Sequence, residues 1–273
     1  MLFTNKNVFI TGGSRGIGKA IALRLAKEGA SIAIAAKTTT PHPKLEGTIY
    51  TAAKELEAAG TGKILPLQLD VRDEEGIAAA VKAAADKLGG IDIVINNASA
   101  INLESIEKMD PKRFDLMQDI NMRGTFFVSQ ACIPYLKAGN NPHILTLSPP
   151  LNINPVWFAK HTAYTISKYS MSMIVLGLSE EMKKYKIAAN ALWPATLIAT
   201  AAVQNLPGGD ALIQRSRTAE IVADAAYYIL QRPSEACTGN FFIDEQVLQQ
   251  EGITDLGKYA VDPHMSPMKD LFL

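Results

Sequence analysis

The chain has 273 residues, equal numbers of basic and acidic residues (27 each), and 48% hydrophobic residues. This length and apolar content suffice for one large domain with a sizeable core. The formal charge of zero gives no indication of binding to nucleic acid or to an anionic membrane surface. Two cysteines and four scattered histidines show no metal-ligand spacing, so we expect no metal site.

The same features bear on where the protein resides. Unpaired, packed thiols at Cys132 and Cys237 are typical of a reducing compartment. The first residues run directly into a strand-like pattern, and no apolar run reaches membrane-spanning length. We therefore expect a cytoplasmic protein with no signal peptide and no membrane span.

Short apolar runs alternate with longer amphipathic stretches, which predicts strands alternating with helices. In chain order the predicted strands are Val8–Thr11, Ser31–Ala36, Ile64–Asp70, Ile91–Asn96, His143–Ser148, Ile187–Leu192 and Phe241–Asp244. The predicted helices are Gly16–Glu28, Thr48–Ala59, Asp73–Leu88, one around Pro111–Met117, Met122–Lys137, Thr162–Tyr185 and Ala219–Gln231. A loop containing proline is predicted over Thr38–Gly47. This alternation predicts a parallel sheet covered by helices on both faces, that is, a single doubly wound α/β domain of the Rossmann type.

A glycine-rich turn, Thr11–Gly18, lies between the first predicted strand and the first predicted helix. Gly12 permits a tight exit from the strand, Gly16 allows the backbone to approach a phosphate, and Gly18 lets the helix pack closely. Free N–H groups at the helix N-terminus would bind the phosphate. The spacing is Gly-x3-Gly-x-Gly, and the alternative is a connector that binds no ligand, but the position between strand and helix favours nucleotide binding.

The second predicted strand ends at Lys37, where an acidic residue would instead hold the ribose hydroxyls of NAD. Arg15 lies within the glycine turn. Two cations suit the ribose phosphate of NADP(H), although both could also be solvated surface charges. We therefore expect NADP(H) rather than NAD(H).

Tyr164 and Lys168 lie four residues apart in a predicted helix, so their side chains share one face. An ammonium beside a phenol favours the phenolate and lowers its pKa from about 10. This pair predicts a general acid or base that works near neutral pH.

Together these motifs resemble the short-chain dehydrogenase/reductase family. The resemblance rests on the glycine turn, Asp70-Val71, Asn96-Asn97-Ala98, Asn121 and the Tyr164/Lys168 pair, and it extends over nearly the whole chain. Segments 37–53 and 148–158 resemble a narrower group within that family.

The resemblance implies a role for each matching residue. Tyr164 would be the acid/base, Lys168 would bind the nicotinamide ribose, and Asn121 would hold a water that links Lys168 to solvent. Asp70 would accept a hydrogen bond from adenine, although it could instead cap a helix, and Asn121 could instead bond at a helix kink. The full set expected to bind the cofactor is Gly12, Gly13, Ser14, Arg15, Gly16, Ile17, Gly18, Lys37, Asp70, Val71, Asn97, Ala98, Tyr164 and Lys168.

Three positions depart from the family pattern. Ser99 and Ala195 stand where the family has glycine. The family's catalytic serine lies thirteen residues before the tyrosine, a position that Leu151 occupies here. Ser148 is the nearest candidate for that catalytic role, but it could instead simply end a strand.

The sequence leaves two functional hypotheses open. One is an oxidoreductase that interconverts a carbonyl and an alcohol on a small, lipophilic substrate. The other is an NADP-binding sensor or interaction protein with little or no turnover. A third reading, an NAD-linked dehydrogenase, is disfavoured by Lys37. In either case the resemblance implies a substrate lid around residues 195–215, and the apolar helix Thr162–Tyr185 predicts a homodimer or homotetramer.

Overall fold

Seven parallel strands form one central sheet in the computed structural model, which describes residues 1–41 and 45–273. The strand order is β3-β2-β1-β4-β5-β6-β7, so the chain changes direction across the sheet between β1 and β4. The strands are β1 (Asn7–Thr11), β2 (Ser31–Ala36), β3 (Ile64–Gln68), β4 (Ile93–Asn96), β5 (His143–Leu147), β6 (Ala188–Trp193) and β7 (Phe241–Ile243). Ligands of doubly wound sheets bind at the carboxyl ends of the strands beside such a reversal.

Helices connect the strands and cover both faces of the sheet. They are α1 (Gly16–Lys27), α2 (Ile49–Ala59), α3 (Glu74–Leu88), α4 (Pro111–Met117), α5 (Thr125–Leu136), α6 (Thr162–Glu181), α7 (Ala201–Gln204), α8 (Gly209–Gln214), α9 (Glu220–Ile229) and α10 (Asp244–Gln250). Local sequence sets several of these ends: Asp73 caps α3 by accepting a bond from the Gly76 N–H, and Gly89 ends α3 in the left-handed conformation.

Alternate residues of each strand enter different cores, as the two-residue period of a strand requires. In β1, Val8 and Ile10 pack in a cluster with α1, α2, α9 and α10. Phe9 faces the opposite side and packs with α3 and α5. Burial on both faces explains why the strands read as continuous apolar runs rather than alternating ones. The doubly wound, Rossmann-type fold predicted from the sequence is therefore confirmed.

Several predicted boundaries differ from the structure. A π-helical segment over Gln118–Gly124 precedes α5, where one regular helix from Met122 was predicted. The long helix α6 ends at Glu181, and a separate 3-10 turn covers Lys183–Tyr185. Helix α10 was missed because Asp244 reads as the end of a strand, yet the chain turns into a helix there without a loop.

Two further predictions concern the loop before α2 and membrane-spanning helices. The predicted loop Thr38–Gly47 and the similar segment 37–53 include residues 42–44, which lie outside the described residues. Within residues 1–41 and 45–273, no helix combines the length and apolar character needed to cross a membrane.

Replacement of Gly18 by alanine should destabilise the protein. An added Cβ would overlap Asn97 Nδ2 and lie 2.5 Å from the Gly12 carbonyl oxygen. We expect the free energy of unfolding to fall by about 1–3 kcal/mol, as for other overpacked sites. The control is Gly177→Ala in α6, where an added Cβ meets nothing within 4 Å. That variant should gain about 0.5–1 kcal/mol from helix propensity. Equal stabilisation of both variants in urea unfolding would contradict the predicted clash.

Candidate active site

The glycine turn leaves β1 and enters α1 beside the end of β4. Gly12 and Gly16 have φ angles of +68° and +54°, which side-chain-bearing residues rarely adopt. Asn97 Nδ2 donates hydrogen bonds of 3.0 Å to the carbonyl oxygens of Thr11 and Gly12. These bonds fix the turn to the residues that follow β4, at the strand reversal.

Thr11 completes this junction from the other side. Its hydroxyl oxygen accepts hydrogen bonds of 3.1 Å from the backbone N–H groups of Asn97 and Ala98. A Cβ at Gly12 would lie 2.7 Å from Asn97 Nδ2, so the closeness of the junction requires glycine there. The structure thus brings the predicted glycine turn, Asn97 and Ala98 to one edge of the sheet.

The start of α1 is the part of the turn where the sequence predicts phosphate binding. Arg15 is the N-cap residue in an extended conformation, and no side chain caps the helix. Ser14 is buried, Ile17 is partly buried, and a Cβ at Gly13 would lie 3.0 Å from the Ile34 side chain. The N–H groups of the first turn of α1 can therefore bind an anion, with the positive end of the helix dipole behind them.

Positive groups lie near the ends of β2 and β3. Arg15 Nε donates to the Glu46 carbonyl oxygen (2.9 Å) and Nη2 to that of Gly47 (2.8 Å), which holds the guanidinium against the following loop. Burial lowers the pKa of Arg15. Lys37 is exposed at the end of β2. Among the described residues neither cation forms an ion pair with a carboxylate.

Asp70 lies in the same region and pairs with Arg72 (2.6 Å). Hydrogen bonds from Arg72 are the main cause of the lowered pKa of Asp70, and the charge of Lys37 acts in the same direction. Helix α3 is capped by Asp73, so the alternative role of Asp70 as a cap is not what the structure shows. Val71 is buried against Gly124 of the π-helical segment.

Asn121 lies in the π-helical segment and is fully buried. Its Oδ1 accepts from the Ala100 N–H (2.8 Å), and its Nδ2 donates to the Ala100 carbonyl oxygen and to Ser167 Oγ (both 2.9 Å). Asn121 therefore joins the loop after β4 to α6. Such π-helical insertions occur often at functional sites.

Lys168 is buried at 2% exposure on α6. Its Nζ donates to the Leu147 carbonyl oxygen (2.6 Å) and lies 5.1 Å from the centre of the Trp193 ring. Burial lowers the pKa of Lys168 to about 7, while the charge of Asp270 acts in the opposite direction. The ammonium thus lies between the ends of β5 and β6.

Tyr164 lies one helical turn before Lys168 and is 6% exposed. Burial, followed by the charge of Asp270, raises the pKa of its phenol. The sequence argument predicted a lowered pKa from the neighbouring ammonium, but in this structure Lys168 bonds to Leu147 and desolvation dominates. Tyr164 is therefore a protonated phenol at neutral pH.

Ser148 follows β5 and is 1% exposed. Its backbone N–H bonds to the Thr146 carbonyl oxygen, but its hydroxyl has no hydrogen-bond partner among the described residues. Buried polar atoms nearly always have a partner, so this hydroxyl is available to a ligand. Leu151, at the family's usual serine position, packs with the apolar cluster around Tyr164.

Sequence reasoning missed the residues that fix the loop after β6. The buried carboxylate of Asp244 accepts a 2.8 Å bond from the Ala195 N–H, and the Ala199 N–H donates to the Arg217 carbonyl oxygen. The loop reaches the glycine turn, because a Cβ at Gly16 would lie 3.3 Å from the Thr200 methyl group. The family resemblance marks the loop itself, through Ala195 and the expected lid, but no motif marks Asp244 or Arg217 as the residues that fix it.

Asp270 and Phe272 were also missed. Asp270 influences the pKa of both Tyr164 and Lys168, and Phe272 stacks on the Tyr164 ring at 6.2 Å between centroids. Both residues are about one hundred positions away from the pair in the sequence, and no motif in residues 268–273 marks them.

Comparison with known proteins identifies the family of the chain. The profile of the short chain dehydrogenase family matches residues 6–209. The chain therefore belongs to the short-chain dehydrogenase family.

Among its relatives is human hydroxysteroid dehydrogenase-like protein 2, which is 59% identical over 266 residues. That alignment covers 97% of this chain but only 63% of the human protein. A crystal structure of a short chain dehydrogenase from Mycobacterium thermoresistibile is 54% identical, with a TM-score of 0.93 over 99% of this chain and 96% of that one.

A more distant neighbour is a metagenomic short-chain oxidoreductase in complex with NADP. It is 22% identical, with a TM-score of 0.73 over 89% of this chain and 98% of that one. At this identity the likeness concerns the fold alone.

Substitution of Asp244 by asparagine should change how stability depends on pH. Burial raises the pKa of Asp244 to about 6 from its ordinary value of 3.8. The native state then binds more protons than the unfolded state between about pH 4 and 6, so this group costs stability as the pH rises through that window. Asparagine keeps an acceptor for the Ala195 N–H without the charge.

We therefore expect the stability of Asp244→Asn relative to wild type to improve by up to about 3 kcal/mol between pH 4 and pH 7. Urea unfolding at both pH values measures this change. Asp115→Asn, at an exposed position of α4, controls for the loss of one negative charge. A stability difference that does not vary with pH would contradict the buried-carboxylate assignment.

Proposed function

We propose that the protein is an NADP(H)-dependent oxidoreductase that interconverts a carbonyl and an alcohol. The observation that carries the proposal is the position of Lys168 Nζ at the carboxyl end of β5, one helical turn after Tyr164. Ser148 follows the same strand end, and its hydroxyl has no partner among the described residues. Bound NADP(H) supplies or accepts the hydride at the nicotinamide. The protein supplies binding, orientation and the proton.

Each residue then has a definite task. In the reducing direction Tyr164 gives its phenolic proton to the substrate oxygen as the carbonyl carbon receives the hydride; in the reverse direction it takes that proton back. Lys168 stabilises the phenolate that results and binds the nicotinamide ribose. The Ser148 hydroxyl donates a hydrogen bond to the carbonyl oxygen. Asn121 positions α6 beside the loop after β4, and we keep as a proposal that it also holds a water in contact with Lys168.

The cofactor assignment rests on the charges around the adenosine end of the site. The cofactor-binding set remains the one expected from the sequence: the turn 12–18, Lys37, Asp70, Val71, Asn97, Ala98 and the Tyr164/Lys168 pair. Arg15 and Lys37 have no carboxylate partner among the described residues, and both lie near the strand reversal.

The second candidate is an NADP-binding sensor with little turnover. Two observations favour it: the phenol of Tyr164 is covered by Phe272, and Ala195 replaces the family's glycine. The free hydroxyl of Ser148 and the burial of Lys168 beside the site favour the enzyme.

Other aspects of the proposal concern the whole molecule. Exposed apolar side chains on α6, Ile166, Met173 and Leu176, support a homodimer or homotetramer formed through that helix. Residues 195–215 are proposed as the lid, since they reach the glycine turn and include the short helices α7 and α8. Free, buried Cys132 and Cys237 support a reducing, cytoplasmic location.

Tyr164→Phe should lower turnover by about 10²–10⁴-fold, because it removes a positioned proton donor and keeps the ring. Affinity for NADP(H) should barely change. Ser148→Ala should also reduce turnover if its hydroxyl polarises the carbonyl. The assay is NADPH oxidation with a panel of lipophilic aldehydes and ketones.

Ser172→Ala is the control for loss of a buried hydroxyl. The Ser172 hydroxyl, on α6, is already bonded to the Pro149 carbonyl oxygen, so it is not expected to bind substrate. Wild-type activity in Tyr164→Phe would exclude the proposed mechanism. Tight NADP(H) binding without turnover of any compound would favour the sensor.

Lys37→Asp should weaken NADP(H) binding selectively. One charge-assisted contact contributes about 1.5–3 kcal/mol, so loss of the cation should raise the Kd for NADP(H) by tenfold or more. The Kd for NAD(H) should stay the same or fall. Lys160→Asp, on the exposed surface before α6, controls for the change in net charge. Equal affinity of the wild-type protein for both cofactors at fixed salt would remove the basis of the assignment.

A further inference from the structure

Residues 268–273, here called the closing segment, run alongside the loop that follows β6. The Leu197 N–H donates to the Met268 carbonyl oxygen (2.9 Å), and the Asp270 N–H donates to that of Ala195 (3.1 Å). Thr196 and Lys269 face each other as an antiparallel bridge. The main chain of the closing segment is therefore fixed at the start of the proposed lid, residues 195–215.

Two further bonds fix the segment at its ends. The Met268 N–H donates to the Arg215 carbonyl oxygen (2.8 Å), and Trp193 Nε1 donates to that of Leu271 (3.0 Å). Trp193 is also the ring beside the Lys168 ammonium. The closing segment is thus tied directly to the surroundings of the acid/base pair.

Phe272 places its ring at the centre of an aromatic cluster and is 1% exposed. Its centroid lies 5.2 Å from Tyr169, 5.8 Å from Trp157, 5.8 Å from Trp193, 6.1 Å from His161 and 6.2 Å from Tyr164. The Phe272 and Tyr164 rings are stacked with 30° between their planes. One face of the Tyr164 ring is therefore packed against Phe272.

The backbone of Phe272 is strained, with φ at +75°. A residue other than glycine keeps such a conformation only where its surroundings over-determine it, and such residues cluster at ligand sites. Here five ring contacts and the bonds to the closing segment hold it. A ring held by so many contacts is expected to stay in place during turnover rather than to move away each time a substrate binds.

We propose that Phe272 is a specificity-determining residue, whose ring forms the wall of the substrate pocket beside Tyr164 and limits the bulk of the carbonyl substrate. The inference rests on the proposed oxidoreductase function and adds the substrate class. That class is a compact aldehyde or ketone whose flat, apolar group stacks against aromatic rings. Polar or branched groups on the carbonyl carbon would clash with the wall or lose hydration against it.

The test compares Phe272→Ala and Phe272→Leu with wild type on aldehydes and ketones of increasing bulk. Phe3→Ala is the matched control, because Phe3 is equally buried (2% exposed) but packs on Tyr227 in a different cluster. Phe272→Ala should raise the ratio of kcat/KM for bulky over compact carbonyls at least tenfold. Phe272→Leu should show a smaller change, Phe3→Ala none, and the Kd for NADPH should be unaltered in all three.

An unchanged ratio in a folded Phe272→Ala would overturn the proposal. A uniform rise in kcat/KM for every compound would also overturn the proposal. It would show that Phe272 blocks access for all substrates equally and does not select them by size.

Binding of the same compounds to the NADP⁺-loaded protein, measured by calorimetry, separates this inference from the proposed function. Absence of turnover with a bulk-dependent shift in affinity on Phe272→Ala would refute the enzyme but support the pocket wall. Equal affinities in wild type and Phe272→Ala would refute the wall whether or not turnover occurs.

Discussion

The burial of the Lys168 ammonium is the constraint on which the rest of the site depends. A buried charge is costly unless nearby groups stabilise it. Here those groups come from three separate parts of the chain: the Leu147 carbonyl oxygen at the end of β5, the Trp193 ring at the end of β6, and the charge of Asp270 in the closing segment. A parallel sheet brings the first two together because its strand ends meet at one edge. Burial also raises the pKa of the Asp270 carboxyl, to about 7.

The cofactor half of the site depends on close approach rather than on charge. Asn97 and Thr11 tie the exit of β1 to the exit of β4, and their hydrogen bonds leave no room for side chains at Gly12 and Gly18. The glycines are therefore required by the junction itself. The loop after β6 lies close to this turn, since a Cβ at Gly16 would be 3.3 Å from the Thr200 methyl group.

The sequence predicted best those features that depend on local pattern. The apolar run of β2 and the strand-turn-helix order around the glycine turn led directly to the fold, since both are set by period and glycine placement. The π-helical segment around Asn121 could not be predicted in this way, because its inserted residue is held by bonds to Ala100 and Ser167 from other elements. The raised pKa of Tyr164 was not predicted for the same reason. The burial that raises it comes from Phe272 and its neighbours, which are far away in the sequence. Long-range contacts of this kind have no periodicity to reveal them.

The proposed function requires that the site can bind NADP(H) without displacing Phe272. The cofactor would then lie across the strand ends with its nicotinamide beside Tyr164. A crystal structure of the protein with bound NADP(H) tests it most directly. We expect the adenosine phosphate against Arg15 and Lys37, and the nicotinamide C4 facing a space next to the Tyr164 hydroxyl that one carbonyl group can fill. A nucleotide bound away from the glycine turn, or a nicotinamide kept from Tyr164 by Phe272, would contradict the account.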